Sequence, residues 1–195
     1  MTSGRDSTIQ VLTRSYVIMF SLDIGKLIPD CLNPRIRSID AGDDSKTILI
    51  GTYSSEIYKL WTKDIKINSN TKYSIKCLLK SHYSPSIKES SEVWGLAVGH
   101  DGNFFITVGD DATLRMWSTS QKEILKTMEL DIDANSQKLS NDVQTNELQD
   151  QAKLRCIDLS PDQVHAAIGC KDGTIRVKSK FNPRLSICMN GVKKK

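Results

Sequence analysis

Three histidines and a pair of adjacent aspartates are the residues of this sequence best suited to acid–base chemistry. His82, His100 and His165 are far apart in the chain, and a turn or a strand edge accounts for each. Asp110 and Asp111 lie in one turn, where neighbouring carboxylates point apart. The sequence holds no G-x-S-x-G, P-loop or H-E-x-x-H motif. We therefore predict no catalytic residues and no enzymatic activity.

The five cysteines could bind metal or form disulfides, but their spacing favours neither. Their number is odd, and no two stand at C-x-x-C spacing. This pattern is typical of reduced thiols in a cytoplasmic protein, so we expect no metal and no cofactor. The cysteines are Cys31, Cys77, Cys156, Cys170 and Cys188.

The composition is that of a folded, soluble chain. Of its 195 residues, 38% are hydrophobic and 26% are charged, which argues against general disorder. A net charge of +4 is too small to indicate nucleic-acid binding. No apolar run is long enough to cross a membrane, and the patch Tyr16 to Phe20 lacks the features of a secretory signal. We expect neither nucleic acid, nor membrane, nor a small-molecule substrate as a partner.

A short pattern occurs four times and indicates a repeat protein. Each copy has a glycine, a polar turn and then an aliphatic anchor, and the anchors are Ile9, Ile57, Leu114 and Ile175. The anchors are 48, 57 and 61 residues apart. The last three copies each follow an earlier apolar strand and a turn rich in Asp, Gly, Asn or Pro. Short strands with regular turns predict an all-β repeat fold.

Stacked four-stranded sheets explain this pattern best, because one sheet alone cannot bury both faces. We predict a partial β-propeller of about three blades plus a partial one, each a four-stranded antiparallel sheet. The predicted division is 1–30, the end of a truncated blade; 31–80, a blade; 81–152, a blade with a polar insertion near 131–152; and 153–195, an incomplete last blade with a basic tail. Between the blades we expect Trp94, Phe104, Phe105 and Trp117.

The third copy, from His82 to Trp117, resembles a WD repeat. In that family a Gly-His pair opens the unit, an Asp occupies the tight turn and Trp-Asp closes it. Here Ser81 replaces the glycine and Ser118 replaces the closing aspartate. The resemblance implies a structural hydrogen-bond network within this one blade, formed by His82, Thr107, Asp111 and Trp117.

A closer resemblance is to the echinoderm microtubule-associated protein-like family. It rests on the strings E-V-W-G-L-A and F-I-T-V-G-D-D-A-T-L-R-M-W in the third copy, and on shorter matches in the second and fourth. It covers most of 1–61, 81–118 and 153–177. The resemblance implies a non-catalytic scaffold for protein–protein interaction, with tubulin or microtubules as the partner and the cytoplasm and cytoskeleton as the location.

The partner would bind to a flat face of the propeller, where the strands begin and turn. From topology we choose the starts of the inner strands, Arg35, Glu92 and Arg155, as the candidate binding face. Two other functions stay open: a WD-repeat scaffold in another complex, ciliary or trafficking, and, more remotely, an enzyme that uses the propeller channel. The turns chosen with the inner strands are those around Asp43, Asp44, Asp101, Asn103, Asp162 and Asp172.

Two segments have alternative interpretations. Residues 131–152 are polar and predict a solvated loop between blades, although long loops also bind partners. From Gly173 onward the chain carries seven Lys or Arg residues and no acid, so it could dock on the acidic surface of tubulin or simply be solvated. We expect the chain to be a fragment of a larger propeller, because a partial ring leaves sheet edges exposed.

Overall fold

The fold consists of four separate antiparallel β-sheets. The computed structural model describes residues 1–42, 47–61, 74–82, 92–130 and 153–179, and the backbone of 186–189. The predicted all-β fold of antiparallel, blade-like sheets is confirmed. The polar insertion at 131–152 lies outside these residues, as do residues 180–185 and 190–195 of the basic tail, so the predictions for them stay predictions.

Fifteen strands and one short 3-10 helix, Ile24–Lys26, make up the described secondary structure. Over the residues described, no helix has both the length and the apolar character needed to cross a membrane. In chain order the strands are β1 Thr2–Ser3, β2 Thr8–Leu12, β3 Ile18–Asp23, β4 Ile36–Ala41, β5 Thr47–Thr52, β6 Glu56–Trp61, β7 Ser74–Lys80, β8 Val93–Val98, β9 Phe104–Gly109, β10 Thr113–Ser118, β11 Ile124–Glu129, β12 Leu154–Leu159, β13 His165–Cys170, β14 Ile175–Ser179 and β15 Ser186–Met189.

Within each sheet the strands are ordered as they occur in the chain. The first sheet is β1–β3, the second β4–β7, the third β8–β11 and the fourth β12–β15. Neighbouring sheets approach one another through their first strands, because β4 contacts β8 and β8 contacts β12. The sheets are thus arranged radially, with β4, β8 and β12 as the inner strands, as in a β-propeller.

Three hydrophobic clusters fill the spaces between the sheets. Ile9, Ile36 and Ile50 belong to the cluster between the first and second sheets. Phe105 and Trp117 stack in the cluster between the second and third, with ring centroids 6.2 Å apart. The cluster between the third and fourth sheets is the largest: Ala97, Phe104, Ile106, Val108, Leu114, Leu130, Leu154, Ile157, Ala166, Ile168 and Cys170. Neighbouring sheets therefore cover each other's facing sides, and the core is shared between blades.

Gly95 allows the inner strands β8 and β12 to approach closely. A Cβ atom at this position would lie 2.9 Å from the backbone nitrogen of Ile157 and 2.7 Å from a methyl carbon of Val108. Real Cβ atoms do not come this near to backbone, so any larger residue would push the third and fourth sheets apart.

One type of turn recurs in all four sheets, between β1 and β2 in the first sheet and between the second and third strands in the other three. In each turn, a residue with positive φ stands shortly before the strand that follows. These residues are Ser7 at 63°, Ser55 at 65°, Ala112 at 58° and Gly173 at 81°. In three sheets an aspartate precedes this residue and accepts hydrogen bonds from the backbone and hydroxyl of the threonine that follows it. The repeat seen in the sequence is thus a repeat of turn geometry as well.

The fourth sheet differs from its prediction. The sequence suggested an incomplete last blade, but β15 pairs with β14 and completes a four-stranded sheet. A four-residue strand within a basic segment shows too short an alternation of apolar and polar residues to be recognised as a strand. The three-stranded sheet is the first, whose β1 to β3 correspond to the second, third and fourth strands of the others.

We predict opposite effects from two substitutions at the same turn position. Gly173→Ala should lower the free energy of unfolding by about 1 kcal/mol, because alanine disfavours a positive φ. Ala112→Gly should raise it by up to about 1 kcal/mol for the converse reason. Urea unfolding of both variants beside the unchanged protein measures this. Changes of the same sign would contradict the assigned backbone conformation.

Candidate functional site

A hydrogen-bonded chain of four side chains crosses the third sheet. His82 Nδ1 lies 2.9 and 3.0 Å from the two carboxylate oxygens of Asp111. His82 Nε2 lies 2.8 Å from the hydroxyl of Thr107, and the indole N–H of Trp117 donates to the same hydroxyl at 2.8 Å. The structure therefore brings together the four residues that the WD-repeat resemblance implied. Each buried group has a partner when Nδ1 carries the ring hydrogen and Thr107 donates to Nε2.

The charge of Asp111 is the electrostatic centre of this network. Burial alone would raise the pKa of Asp111, but the hydrogen bond from His82, the backbone N–H of Thr113 and the Arg115 guanidinium outweigh it and hold the pKa below its ordinary value of 3.8. Arg115 Nη2 donates to Asp111 at 2.8 Å. Arg115 also donates to the backbone carbonyl of Ser81, which ties the strand before His82 to the turn.

The geometry of this network indicates a structural role. His82 and Thr107 are completely buried, so no substrate reaches them. Ile50 and Ile168 occupy the position of Thr107 in the second and fourth sheets, since they hold the same register in β5 and β13. Without a hydroxyl there, those sheets cannot form the same chain. The network stabilises one blade, and it carries no nucleophile or exposed base.

A second arrangement lies at the start of the inner strands. Each of β4, β8 and β12 contains a β-bulge, where one residue is left out of the pairing with the next strand. The bulged residues are Arg37, Trp94 and Arg155, which occupy equivalent positions in three consecutive sheets. Bulges redirect a side chain away from the regular alternation of a strand. These three side chains can therefore meet across the sheets.

The three side chains form a continuous stack. The guanidinium carbon of Arg37 lies 4.4 Å from the centroid of the Trp94 ring, and that of Arg155 lies 4.3 Å from it. Arg37 belongs to the second sheet and Arg155 to the fourth, and the third sheet, which carries Trp94, lies between them, so the two guanidiniums reach the indole from opposite sides. The ring of Tyr53 extends the stack, at 4.8 Å from Arg37.

Acidic partners hold both arginines in place. Glu92 forms an ion pair with Arg37. Asp110 accepts from Arg155 at 2.7 Å and from the Trp94 indole N–H at 2.9 Å. Each arginine thus has an aromatic and a carboxylate contact on a neighbouring sheet, and the stack links the second, third and fourth sheets.

We call this end of the sheets the bulge face. It comprises the bulged residues Arg37, Trp94 and Arg155; the residues two positions earlier, Arg35, Glu92 and Lys153; and the turn residues Tyr53, Asp110 and Lys171. Backbone hydrogen bonds from Tyr53 to Arg35 and from Lys171 to Lys153 place the turns beside the strand starts.

The residues chosen from topology all lie on the bulge face, but in two different registers. Arg35 is exposed and Glu92 is paired with Arg37, and both precede their bulge by two residues. Arg155 is itself the bulged residue, so its true equivalents are Arg37 and Trp94. Sequence alternation alone does not reveal a bulge. For this reason Arg37, Trp94, Tyr53 and Asp110 were missed.

Two further expectations need correction. Trp94 does not fill the space between blades as Phe105 and Trp117 do, because the bulge turns it onto the bulge face. The turns chosen as binding residues do not share one face. Asp172 is beside the bulge face, whereas Asp101, Asn103 and Asp162 lie in turns at the opposite ends of the strands, and Asp43 and Asp44 lie outside the described residues.

The opposite end of the sheets, which we call the far face, also joins neighbouring blades. It comprises the turns 99–103, 119–123 and 160–164 and the hairpin 13–17. The backbone N–H of His100 donates to Gln163 at 3.1 Å, and His100 Nε2 lies 3.1 Å from the carbonyl of Pro161. In the described ranges no group of three or more His, Cys, Asp and Glu residues is placed to hold a metal ion.

Two segments of the chain are similar to a known protein family. Residues 74–118 and 143–177 match the family model described as WD domain, G-beta repeat. These two segments are similar to WD40 repeats. The first matched segment holds the whole network from His82 to Trp117, and the second includes β12 and β13. WD40 domains are generally protein-interaction scaffolds, and their repeats are typically non-catalytic. Only β7 of the second sheet lies within a matched segment, yet this sheet has the same strand order as the third and fourth sheets.

We predict that the Thr107 hydroxyl stabilises the third sheet. Thr107→Val should lower the free energy of unfolding by about 2–3 kcal/mol, because it leaves the Trp117 N–H and His82 Nε2 buried without partners. Thr107→Ser keeps the hydroxyl and should cost about 1 kcal/mol for the lost methyl group. Chemical denaturation distinguishes the two. An equal cost for both would show that the hydrogen bonds contribute nothing.

The lowered pKa of Asp111 predicts a pH dependence. Because the pKa is lower in the folded state, the carboxylate contributes stability above its ordinary value of 3.8. This contribution is lost as the pH falls through the folded-state pKa. The stability advantage over an Asp111→Asn variant should therefore shrink between neutral pH and strong acid, as measured by urea unfolding. A constant difference across this range would exclude the ionised carboxylate as its source.

Proposed function

We propose that this WD40 chain is a non-catalytic scaffold in the cytoplasm and cytoskeleton, and that its bulge face binds tubulin or microtubules. The observation that carries this proposal is the charge of that face. Its basic side chains at Arg35 and Lys171 are exposed, and its carboxylates at Glu92 and Asp110 form ion pairs with Arg37 and Arg155. Such a face attracts an acidic partner, and the surface of tubulin is acidic.

The two ends of the sheets differ in charge, which favours the bulge face over the far face. The far face mixes exposed carboxylates at Asp101 and Asp162 with exposed cations at Arg14 and Lys122. Hydrogen bonds from Ser160 and Val164 lower the pKa of Asp162, so its negative charge persists. An acidic partner would therefore gain no net attraction at the far face, whereas it would be attracted to the bulge face.

The bulge face is also held rigid before any partner arrives. Its arginines are fixed by stacking on Trp94 and by ion pairs, and the strands beneath them share a buried core. Side chains that are already ordered lose little conformational entropy on binding. The resemblance to the microtubule-associated family supports tubulin as the specific partner.

Charge reversal at one exposed arginine tests the proposal. Arg35→Glu should reduce co-sedimentation with microtubules by about tenfold or more, because it replaces attraction by repulsion without disturbing a buried contact. Arg14→Glu makes the same change in charge on the far face and should leave binding unchanged. Raising the salt concentration should weaken binding of the unchanged protein.

Two outcomes would contradict this function. Equal loss for Arg35→Glu and Arg14→Glu would mean that net charge matters and the bulge face does not. No sedimentation of the unchanged protein with microtubules would reject tubulin and favour a scaffold in another complex, such as a ciliary or trafficking assembly.

A further inference from the structure

Arg37 and Arg155 have hydrogen-bonding capacity that the described residues do not use. Arg37 contacts Glu92 through Nε, and among the described residues no acceptor meets its two terminal nitrogens. Arg155 places Nη1 on Asp110 and on the carbonyl of Leu154, whereas its Nη2 has no acceptor in the described part of the chain. A guanidinium offers five N–H donors, so within the described part of the chain both groups have donors that no acceptor meets.

These donors lie at the boundary between protein and solvent. The side chain of Arg37 is 10% exposed and that of Arg155 is 27% exposed, so most of each side chain is shielded from water. A carboxylate that reaches the exposed tips would pair with the guanidinium in a partly dehydrated environment. Charge pairs are stronger there than on an open surface.

The indole of Trp94 sets the distance between the two guanidiniums. With one on each face of the ring, at 4.4 and 4.3 Å from its centroid, they are separated by the thickness of the stacked layers. In an extended peptide, side chains two residues apart point the same way and are roughly 7 Å apart. Carboxylates in an alternating acidic sequence therefore match the spacing of the two arginines.

We propose that Arg37, Trp94 and Arg155 form a binding site for two carboxylates of an extended acidic peptide segment, with the acids at alternate positions. Each carboxylate accepts from the terminal nitrogens of one guanidinium, and the Trp94 edge lies between them. The exposed Arg35 attracts the same segment at longer range. This site deepens the proposed function, since it rests on the bulge face as the docking surface, but it does not require that the partner be tubulin.

The same acids that hold the arginines also set the selectivity of the site. Glu92 and Asp110 already neutralise part of the positive charge, so a single isolated carboxylate gains little. Two carboxylates on one chain bind together, because the second pairing is then intramolecular. The site therefore favours a repeated acidic pattern over a lone acidic residue.

Titration with a defined peptide tests the site directly. The probe is a blocked peptide of alternating Glu and Ser, with a Gln and Ser peptide as its uncharged match, measured by calorimetry at low salt and by tryptophan fluorescence. The unchanged protein should bind the Glu peptide at least about tenfold more tightly than the Gln peptide. Arg155→Gln should remove most of this difference, and Arg14→Gln on the far face should not.

A second variant keeps the test decisive if Arg155→Gln does not fold. Arg155→Lys retains the positive charge above Trp94 but loses the planar fork, so it should fold and still bind the Glu peptide several-fold more weakly. Unchanged affinity in a folded Arg155→Gln or Arg155→Lys protein would overturn the site. Equal affinity for the Glu and Gln peptides would also overturn it, as would binding of a phosphoserine peptide but not of the Glu peptide.

The experiments distinguish failure of the two-carboxylate site from failure of tubulin as the partner. Selective binding of the Glu peptide without microtubule sedimentation would retain the site and reject tubulin. Sedimentation that depends on Arg35, without selective binding of the Glu peptide, would retain the docking face and reject the two-carboxylate site.

Discussion

Every part of this structure depends on the burial of sheet faces against neighbouring sheets. The three hydrophobic clusters all lie between sheets, and the largest joins residues of the third sheet, such as Phe104 and Leu114, with residues of the fourth, such as Leu154 and Ile168. A single four-stranded sheet would leave these side chains in water. Burial therefore brings the inner strands together, and Gly95 shows how close that approach is. Once the inner strands are in contact, the residues at their ends form common surfaces.

The β-bulges convert this packing into the surface that we propose binds a partner. In each inner strand the bulge frees one residue from the ladder at the same height, so that Arg37, Trp94 and Arg155 meet across three sheets. Two arginines on one indole would repel each other, and Glu92 and Asp110 offset this repulsion. The stack thus joins the blades and presents arginine donors to solvent. The buried network of His82, Thr107, Asp111 and Trp117 has a different task, since it fixes the turn of one blade from within.

Much of the architecture could be predicted from the sequence, because the repeat is carried by local signals. The glycine, the polar turn and the aliphatic anchors mark the same hairpin in every copy, and an Asp-x-Thr turn needs only short-range hydrogen bonds. The four network residues could also be named, since their spacing follows a family pattern. Short-range sequence signals do not reveal the bulge face. The bulges could not be predicted, because they are a matter of register between strands, and the inner strands alternate normally on either side of them.

The predictions for Trp94, Arg155 and the last strand were wrong because all three depend on how strands pair. Trp94 resembled a core residue because large aromatic side chains are usually buried, and only the bulge at that position turns it outward. Arg155 was grouped with Arg35 and Glu92, although it is offset from them by two positions, and this offset moves it from the rim into the stack. The fourth strand of the last sheet was missed because its sequence has no strand pattern of its own. Only its pairing with β14 defines it.

Hydrogen exchange of the protein with and without microtubules tests the central claim, that the bulge face is the docking surface. Peptides that cover residues 35–37, 92–94 and 153–155 should exchange more slowly in the complex, because a bound partner shields the strand starts. Peptides that cover 13–17, 99–103 and 160–164 on the far face should be unaffected. Protection confined to the far face, with none at the inner strand starts, would contradict the account.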